Sequence, residues 1–228
     1  MEDPAQRRID YGENPFDLTD LASDPLTQFR TWYSAAIEAG EQSGIVEPNA
    51  LVVSTVDADG VSARTVLLKA VDARGFVFFT NQRSRKAAAM AHDPRVSLLF
   101  GWYGLHRQVA VLGRASMVPR EETETYFASR PYGSRIGAWT SEQSRPIASA
   151  EELHTREAEL RRRWPDTGSS SDVPAPPHWG GYLVAALEVE FWQGRTSRLH
   201  DRLVFVSTSG SPAPLDDTSS WRVERRQP

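Results

Sequence analysis

The sequence predicts a mainly β chain with peripheral helices, its strands rolled into a closed or half-closed antiparallel barrel. Three observations carry that reading. Between residues 50 and 80, three apolar stretches are joined by two tight turns, Asp57-Ala58-Asp59-Gly60 and Asp72-Ala73-Arg74-Gly75. Strands joined so closely pair antiparallel. Predicted strands outnumber predicted helices and connect mostly to sequence neighbours, which suits an antiparallel barrel. Finally, Leu187, Val189 and Phe191 alternate with Glu188 and Glu190, the period of a strand buried on one face.

The elements follow in order. Residues 1–23 are polar and contain prolines, with Arg7, Arg8 and Tyr11 standing out, and read as a mobile arm ahead of one domain over 24–228. Asp24-Pro25 opens a helix with Asp as N-cap and Pro in its first turn; Phe29, Trp32, Tyr33, Ala36 and Ile37 form its apolar stripe and Gly40 stops it. Strands are expected at 51–56, 63–70 and 76–80. Ser84 is placed to cap a short helix over 85–91, ended by Asp93-Pro94, and strands follow at 96–102 and 108–117. Pro119 opens a helix to Arg130 whose first turn carries Glu121 and Glu122, favourable to the dipole. A charged amphipathic helix is expected over 150–164, a long flexible loop over 165–178, and closing strands at 182–192, 203–208 and 221–225. There are no internal repeats.

Composition narrows the function. A chain of 228 residues, 39% hydrophobic and 25% charged, can bury a sizeable core. Its net charge of −4 argues against bulk nucleic-acid binding. With no cysteine, disulfides, thiolate zinc sites and a Cys nucleophile are excluded. No apolar run approaches membrane-spanning length, and Met1-Glu2-Asp3-Pro4 lacks the regions of a signal peptide, so a soluble cytoplasmic protein is expected. Nucleophile-elbow, Walker and dinucleotide-loop signatures are missing, and the five histidines show no ligand spacing, so no metal site is expected. His200-Asp201 invites a metal or general-base reading, which two residues alone do not make.

What the chain offers is cations at element ends. Arg64-Thr65-Val66-Leu67-Leu68-Lys69 places two on one predicted strand. Strict alternation sends Arg64 and Lys69 to opposite faces, so a shared site needs a twist, a bulge, or Lys69 past the strand end. Arg85 and Lys86 follow Ser84 at a helix start, where free N–H groups already favour an anion. They are either a solvated first turn or a phosphate site; cations repel the dipole there unless an anion is present. Tyr126 and Arg130 share a helix face, with Ser134 just beyond, so two hydroxyls and a guanidinium could embrace a phosphate. Gln108 and Gln143-Ser144 suit the edge of a heterocycle. Phe191 to Arg202 crowds an indole, an imidazole and three guanidinium groups at a turn, which suits a flat, anionic, aromatic ligand and equally a solvated hairpin end with surface arginines.

These stretches, with Phe78-Phe79-Thr80-Asn81, Ile136-Gly137-Ala138-Trp139, Trp179-Gly180-Gly181, Trp192-Gln193-Gly194 and Arg198-Leu199-His200-Asp201-Arg202 in order, resemble the pyridoxine/pyridoxamine 5′-phosphate oxidase family over nearly the whole chain. The resemblance implies an FMN-binding split antiparallel β-barrel working as a homodimer, with each flavin held between subunits. FMN would be held by Arg64, Thr65, Val66, Leu67, Leu68 and Lys69, by Phe79, Thr80, Arg85, Lys86, Gln108, Gln143 and Ser144, and by Trp192 and Arg202. The substrate phosphate would fall to Lys69, Tyr126, Arg130 and Ser134. Arg198 and His200 would lie against the pyridine ring as the catalytic pair, and Arg8 and Tyr11 would close over it. The implied activity is oxidation of the two B6 phosphates to pyridoxal 5′-phosphate, with hydride passing from C4′ to flavin N5 and dioxygen returning as hydrogen peroxide. Two rivals stand beside it: a related flavin oxidase of the phenazine-biosynthesis type, which tends to lose the substrate-phosphate residues, and a non-catalytic flavin or pyridoxal-phosphate binding protein. Gly101, Arg135, Ala150 and Arg226-Gln227 depart from the family pattern. Arg135 is expected to add a charge beside the substrate phosphate.

Overall fold

The computed structural model describes residues 3–6 and 9–228. Nine antiparallel strands are described: β1 (Ala50–Asp57), β2 (Gly60–Leu67), β3 (Ala70–Asp72), β4 (Gly75–Asn81), β5 (Arg95–Trp102), β6 (Arg107–Met117), β7 (Trp179–Gln193), β8 (Asp201–Ser207) and β9 (Trp221–Arg225). They are hydrogen-bonded in the order β2-β1-β5-β6-β7-β4-β3, with β8 added to β7 and β9 to β8. β2 and β3 stand at opposite ends of that path, yet only Leu68 and Lys69 separate them in the chain. The sheet therefore curls until its ends meet, leaving a seam, and the fold is a split barrel. The strand expected over 63–70 breaks there, because the chain must leave one edge of the sheet to begin the other. Leu68 N–H donates to Asn49 O and Lys69 N–H to Val77 O, both at 2.8 Å, so each edge holds one of the linking residues.

Five α-helices surround the barrel: α1 (Pro25–Ala39), α2 (Arg85–His92), α3 (Arg120–Ala128), α4 (Tyr132–Thr140) and α5 (Ala150–Arg163). The Asp24 side chain accepts from Thr27 N–H and Gly40 ends α1 at φ 51°, as expected. α1 carries the ring of Phe29 to 5.0 Å from those of Phe76 and Phe100, and Trp32 to 5.3 Å from Phe191. Each aromatic buried this way contributes roughly 1.5–3 kcal/mol. β6 slips register against β7 between Leu112 and Gly113. A side chain at Gly113 would meet Ala185 O at 2.5 Å, so the bulge requires glycine.

A second, smaller core of Phe127, Ile136, Val173 and Trp179 lies under α3, α4 and the segment 165–178. The sequence reading had no helix at α4. Its Gly133 and Gly137 weaken the helical pattern, and its stability comes instead from burying Ile136. Four side chains hold the carbonyls of the segment around 164–179: Tyr132 (Trp164 O), Arg135 (Ser169 O and Ser170 O), Trp139 (Pro174 O) and Arg120 (Ala175 O, Pro176 O and Trp179 O). Arg135 thus faces the loop, 4% exposed, and does not line the phosphate side of α4. Among the described residues, no helix is long and apolar enough to cross a membrane.

Candidate active site

The barrel seam opens onto a cavity of about 610 Å³, the size of a small-molecule site. β2 contributes Thr65, Val66 and Leu67, and the seam contributes Lys69. β4 contributes Phe79, Thr80 and Asn81; α2, Lys86; α3 and its end, Tyr126, Ser129 and Arg130; α4, Ser134, Gly137 and Ala138. Gln143 and Trp179 complete the lining. Of the cations foreseen for two separate phosphates, Lys69, Lys86 and Arg130 share one hollow, while Arg64 and Arg85 do not line it. Lys69 reaches it because it sits past the strand end, whereas Arg64 stays on β2, held by Thr55 and Ser62, and the two do not meet in the cavity.

The electrostatics are one-sided. Lys69, Lys86 and Arg130 face the cavity, and no carboxylate is among the described residues lining it. Lys86 is only 7% exposed. Burial, and then the neighbouring Arg64 guanidinium, push its ammonium down to about 8. Its Nζ donates to Gln143 Oε1 at 2.8 Å, Thr80 Oγ1 at 3.1 Å and Ser84 Oγ at 3.4 Å, all neutral acceptors. Burial likewise lowers Arg130, whose guanidinium lies 4.7 Å from the centre of the Trp179 ring. Its Nη1 is buried and has no partner among the described residues. A desolvated guanidinium nitrogen without an acceptor is costly, and of the three such nitrogens among the described residues, on Arg130, Arg135 and Arg195, only that of Arg130 belongs to a residue lining this cavity.

Flat surfaces lie beside the cations. The rings of Tyr126, Phe79 and Trp179 stack, with Phe79 4.2 Å from Tyr126 and 5.2 Å from Trp179. Gln143 Oε1 accepts from both Thr80 Oγ1 and Lys86 Nζ, which fixes the amide and leaves its N–H₂ for a heterocycle edge. Ser84 does not cap α2 as expected; the Ser144 hydroxyl accepts from Arg85 N–H at 3.3 Å, and Ser144 holds the left-handed φ of 75° to do so. Arg85 itself pairs with Asp57 at 3.4 Å. Arg64, lowered first by burial and then by Arg85, is committed to Thr55 Oγ1 at 2.8 Å and Ser62 Oγ at 2.6 Å. The side chain of Leu68 is buried in the main core.

The remaining predicted residues form a second group that does not line this cavity. Gln108, Trp192 and Arg202 are direct cross-strand neighbours in one row over β6, β7 and β8, so their side chains share a face. Arg202 is held bidentate by Glu190 at 3.0 and 2.8 Å. Past β7 the chain turns sharply, with Ser197 at φ 54° and Arg198 at φ 62°, backbone that L-residues adopt rarely. The His200 ring lies 4.5 Å from Trp192 and 5.7 Å from Tyr11. Gly194 lets Tyr11 settle there, since a Cβ would meet its ring at 2.9 Å. His200 Nδ1 accepts the Arg195 N–H at 3.1 Å, so the neutral imidazole carries its proton on Nε2. Burial, then Arg198, hold its pKa below the ordinary histidine value against the pull of Asp201. Arg8 lies outside the described residues.

Sequence reasoning missed Trp179 as a wall of the cavity and Gly137 and Ala138 as its floor. Gly137 leaves open space where a side chain would stand. The Trp179-Gly180-Gly181 block was a usable signal; the helix that carries Gly137 was not.

Comparison with known proteins adds the following. Residues 38–162 match the family described as pyridoxamine 5′-phosphate oxidase, and residues 179–228 match the pyridoxine 5′-phosphate oxidase C-terminal dimerisation region. A pyridoxine/pyridoxamine 5′-phosphate oxidase of Kineococcus radiotolerans is 73% identical over 228 residues, covering 100% of both chains. One from Streptomyces avermitilis is 48% identical, covering 100% of this chain and 97% of its own. Among solved structures, PhzG from Burkholderia lata, in complex with tetrahydrophenazine-1-carboxylic acid, superposes with a TM-score of 0.80 at 26% identity, over 96% of this chain and 100% of its own. An FMN-binding, pyridoxamine 5′-phosphate oxidase-related protein from Nostoc punctiforme shares the fold, with a TM-score of 0.65 at 15% identity over 88% of this chain and 97% of its own.

Proposed function

Given that the chain belongs to the pyridoxamine 5′-phosphate oxidase family, we propose that it is a homodimeric, FMN-dependent oxidase that converts pyridoxine 5′-phosphate and pyridoxamine 5′-phosphate to pyridoxal 5′-phosphate. The observation that carries this reading is the cavity with three cations and, among the described residues, no lining carboxylate and no partner for the buried Arg130 Nη1. A ligand bearing two phosphates, or two ligands bearing one each, satisfies it.

The residues present fit FMN. Lys86, with Arg64 and Arg85 behind it, takes the cofactor phosphate, and Thr65 to Leu67 and Gln143 border the ring system. Bound FMN would supply the two-electron acceptor for oxidation at C4′, with dioxygen as the final acceptor giving hydrogen peroxide, and for the amine substrate water would enter and ammonia leave. Lys69, Tyr126, Arg130 and Ser134 anchor the substrate phosphate, which fixes the distance from anchor to C4′. The stacked rings of Phe79, Tyr126 and Trp179 exclude water from the cation side.

In one chain, Gln108, Trp192, Arg198, His200 and Arg202 stand apart from this cavity. Two subunits joined through the C-terminal region bring the partner's copy of that group to it. Arg198 then covers the pyridine ring and stabilises charge as hydride leaves. His200, neutral with hydrogen on Nε2, donates to the ring substituent. Tyr11, packed against His200 and Trp192, closes the outer side, joined by Arg8.

The test is aerobic turnover of the FMN-loaded protein with each B6 phosphate and with its dephosphorylated counterpart. Stoichiometric pyridoxal 5′-phosphate and hydrogen peroxide from the phosphorylated compounds alone is the expected result. A second reading, oxidation of a larger reduced aromatic acid, draws on the likeness to PhzG. Turnover of a dihydro- or tetrahydrophenazine carboxylate, without turnover of either B6 phosphate, would favour it. A protein that binds FMN and pyridoxal 5′-phosphate but turns over neither class would be a non-catalytic binder.

A further inference from the structure

The turn bearing Arg198 and His200 is strained, yet nothing in its own sequence forces the strain. Ser197 and Arg198 both take left-handed φ values, 54° and 62°, and neither is glycine. Such backbone persists only where its surroundings over-determine it. Three attachments surround it, and Asp201 joins them. Asp201 Oδ2 accepts from Arg195 Nη1 at 2.7 Å and from Phe16 N–H at 3.1 Å; its Oδ1 accepts from Arg225 Nη1 at 2.9 Å. Arg225 in turn reaches Asp17 Oδ1 at 2.7 Å.

One carboxylate therefore ties the segment before α1, the turn after β7, and the last strand. Beside it, Thr196 N–H donates to Gly12 O at 3.1 Å, so the same two segments meet a second time. The effect reaches the site through Arg195. The residue whose guanidinium Asp201 holds is the one whose backbone N–H donates to His200 Nδ1. Burial would raise the Asp201 carboxyl, but the Phe16 amide and the Arg195 and Arg225 guanidinium groups together hold it below the ordinary value. It is thus ionised wherever the protein works.

We infer that Asp201 is a positioning residue: its carboxylate latches residues 11–17 onto the 194–200 turn and so fixes the ring orientation of His200 and the approach of Arg198. It touches no reacting atom, and Asn cannot replace it, since an amide oxygen offers Arg195 and Arg225 no charge to share. The catalytic consequence rests on the oxidase reading given above; the latch itself does not.

The test uses Asp201→Asn and Arg195→Gln in the FMN-loaded dimer, with two readouts. Hydrogen exchange of the Phe16 and Thr196 amides should speed at least tenfold in Asp201→Asn, while amides of β5 and β6 keep wild-type protection. With pyridoxine 5′-phosphate, kcat should fall about tenfold or more with KM changed less than threefold and FMN retained. The two single variants and the double variant should be non-additive, because they cut one connection. Unchanged exchange at Phe16 and Thr196 would overturn the latch. Faster exchange with undiminished kcat would overturn its positioning role. Should the wild-type protein turn over neither B6 phosphate, the oxidase reading fails alone, and exchange still decides the latch. If Asp201→Asn does not fold, Arg195→Gln cuts the Arg195 link alone, leaving the Phe16 and Arg225 contacts: Thr196 exchange should speed and kcat fall while Phe16 keeps its protection, and unchanged Thr196 exchange and kcat would overturn the latch.

Discussion

Lys86→Met should make the ligand-free protein more stable and the cofactor bind less tightly. In the folded chain the Lys86 ammonium is depressed from 10.5 to about 8. At pH 7 it is charged in both the folded and unfolded chains, and its burial then costs the folded state about 3 kcal/mol at 1.36 kcal/mol per unit. Methionine fills the same volume without charge. The lost donor affects three acceptors, but Thr80 and Gln143 remain bonded to each other at 2.9 Å, so the offset is about 1 kcal/mol. The net gain of about 2 kcal/mol corresponds to roughly 4–8 °C in Tm for a chain of this size. Loss of a charged donor to phosphate costs about 1.5–3 kcal/mol of binding, or roughly 10–100-fold in FMN affinity. The pH dependence supplies the control. A lysine depressed on folding destabilises below its folded pKa, and the penalty fades as pH rises from about 8 toward 10.5. The stability gap between variant and wild type should therefore close over that window. Thermal melts with and without FMN from pH 7 to pH 10.5 decide it. A ligand-free variant less stable than wild type at pH 7, with a gap that ignores pH, would refute the reasoning.

Three other outcomes are expected. Arg130→Gln removes the guanidinium whose buried Nη1 has no acceptor among the described residues, so KM for pyridoxine 5′-phosphate should rise about 10–100-fold, with FMN still bound; steady-state kinetics and flavin retention measure both. Arg198→Ala should lose most of kcat while retaining FMN. Because Arg198 depresses His200, the His200 pKa should also move up toward the ordinary value, as read by NMR titration of ring protons. Mixing Arg130→Ala and Arg198→Ala dimers, with subunit exchange, at a substrate concentration low enough that each alone is nearly inactive, should restore about a quarter of wild-type activity. Half the dimers are then hybrids, and each has one intact site; no recovery would mean that both residues serve the same chain's site.

The sequence made the barrel legible because tight Asp-Gly turns and period-two alternation are local signals. It made the chemistry of Arg64 to Lys69 legible but not its geometry: the break at Leu68-Lys69 follows from where β2 and β3 lie in the closed sheet, which no local pattern records. α4 was invisible because its glycines lower helical propensity while its support, Ile136 packed with Phe127 and Trp179, comes from distant segments. Arg135 was misjudged for a related reason. Adjacency to Ser134 suggested a shared anion, yet neighbours on a helix point about 100° apart, and Arg135 turns to the carbonyls of Ser169 and Ser170. His200-Asp201 invited a metal or general-base reading; the two side chains part, His200 toward Trp192 and Tyr11 and Asp201 toward Arg195 and Arg225. Site residues were thus readable as types, while their division into two groups required the fold.

The most direct test of the account is anaerobic mixing of the FMN-loaded dimer with pyridoxine 5′-phosphate while the flavin absorbance is followed. Rapid bleaching, reversed by air, with one pyridoxal 5′-phosphate formed per flavin reduced, is the expected result. A flavin that stays oxidised with both the alcohol and the amine would contradict it, leaving the family and the fold in place and the substrate to be sought among larger reduced aromatics.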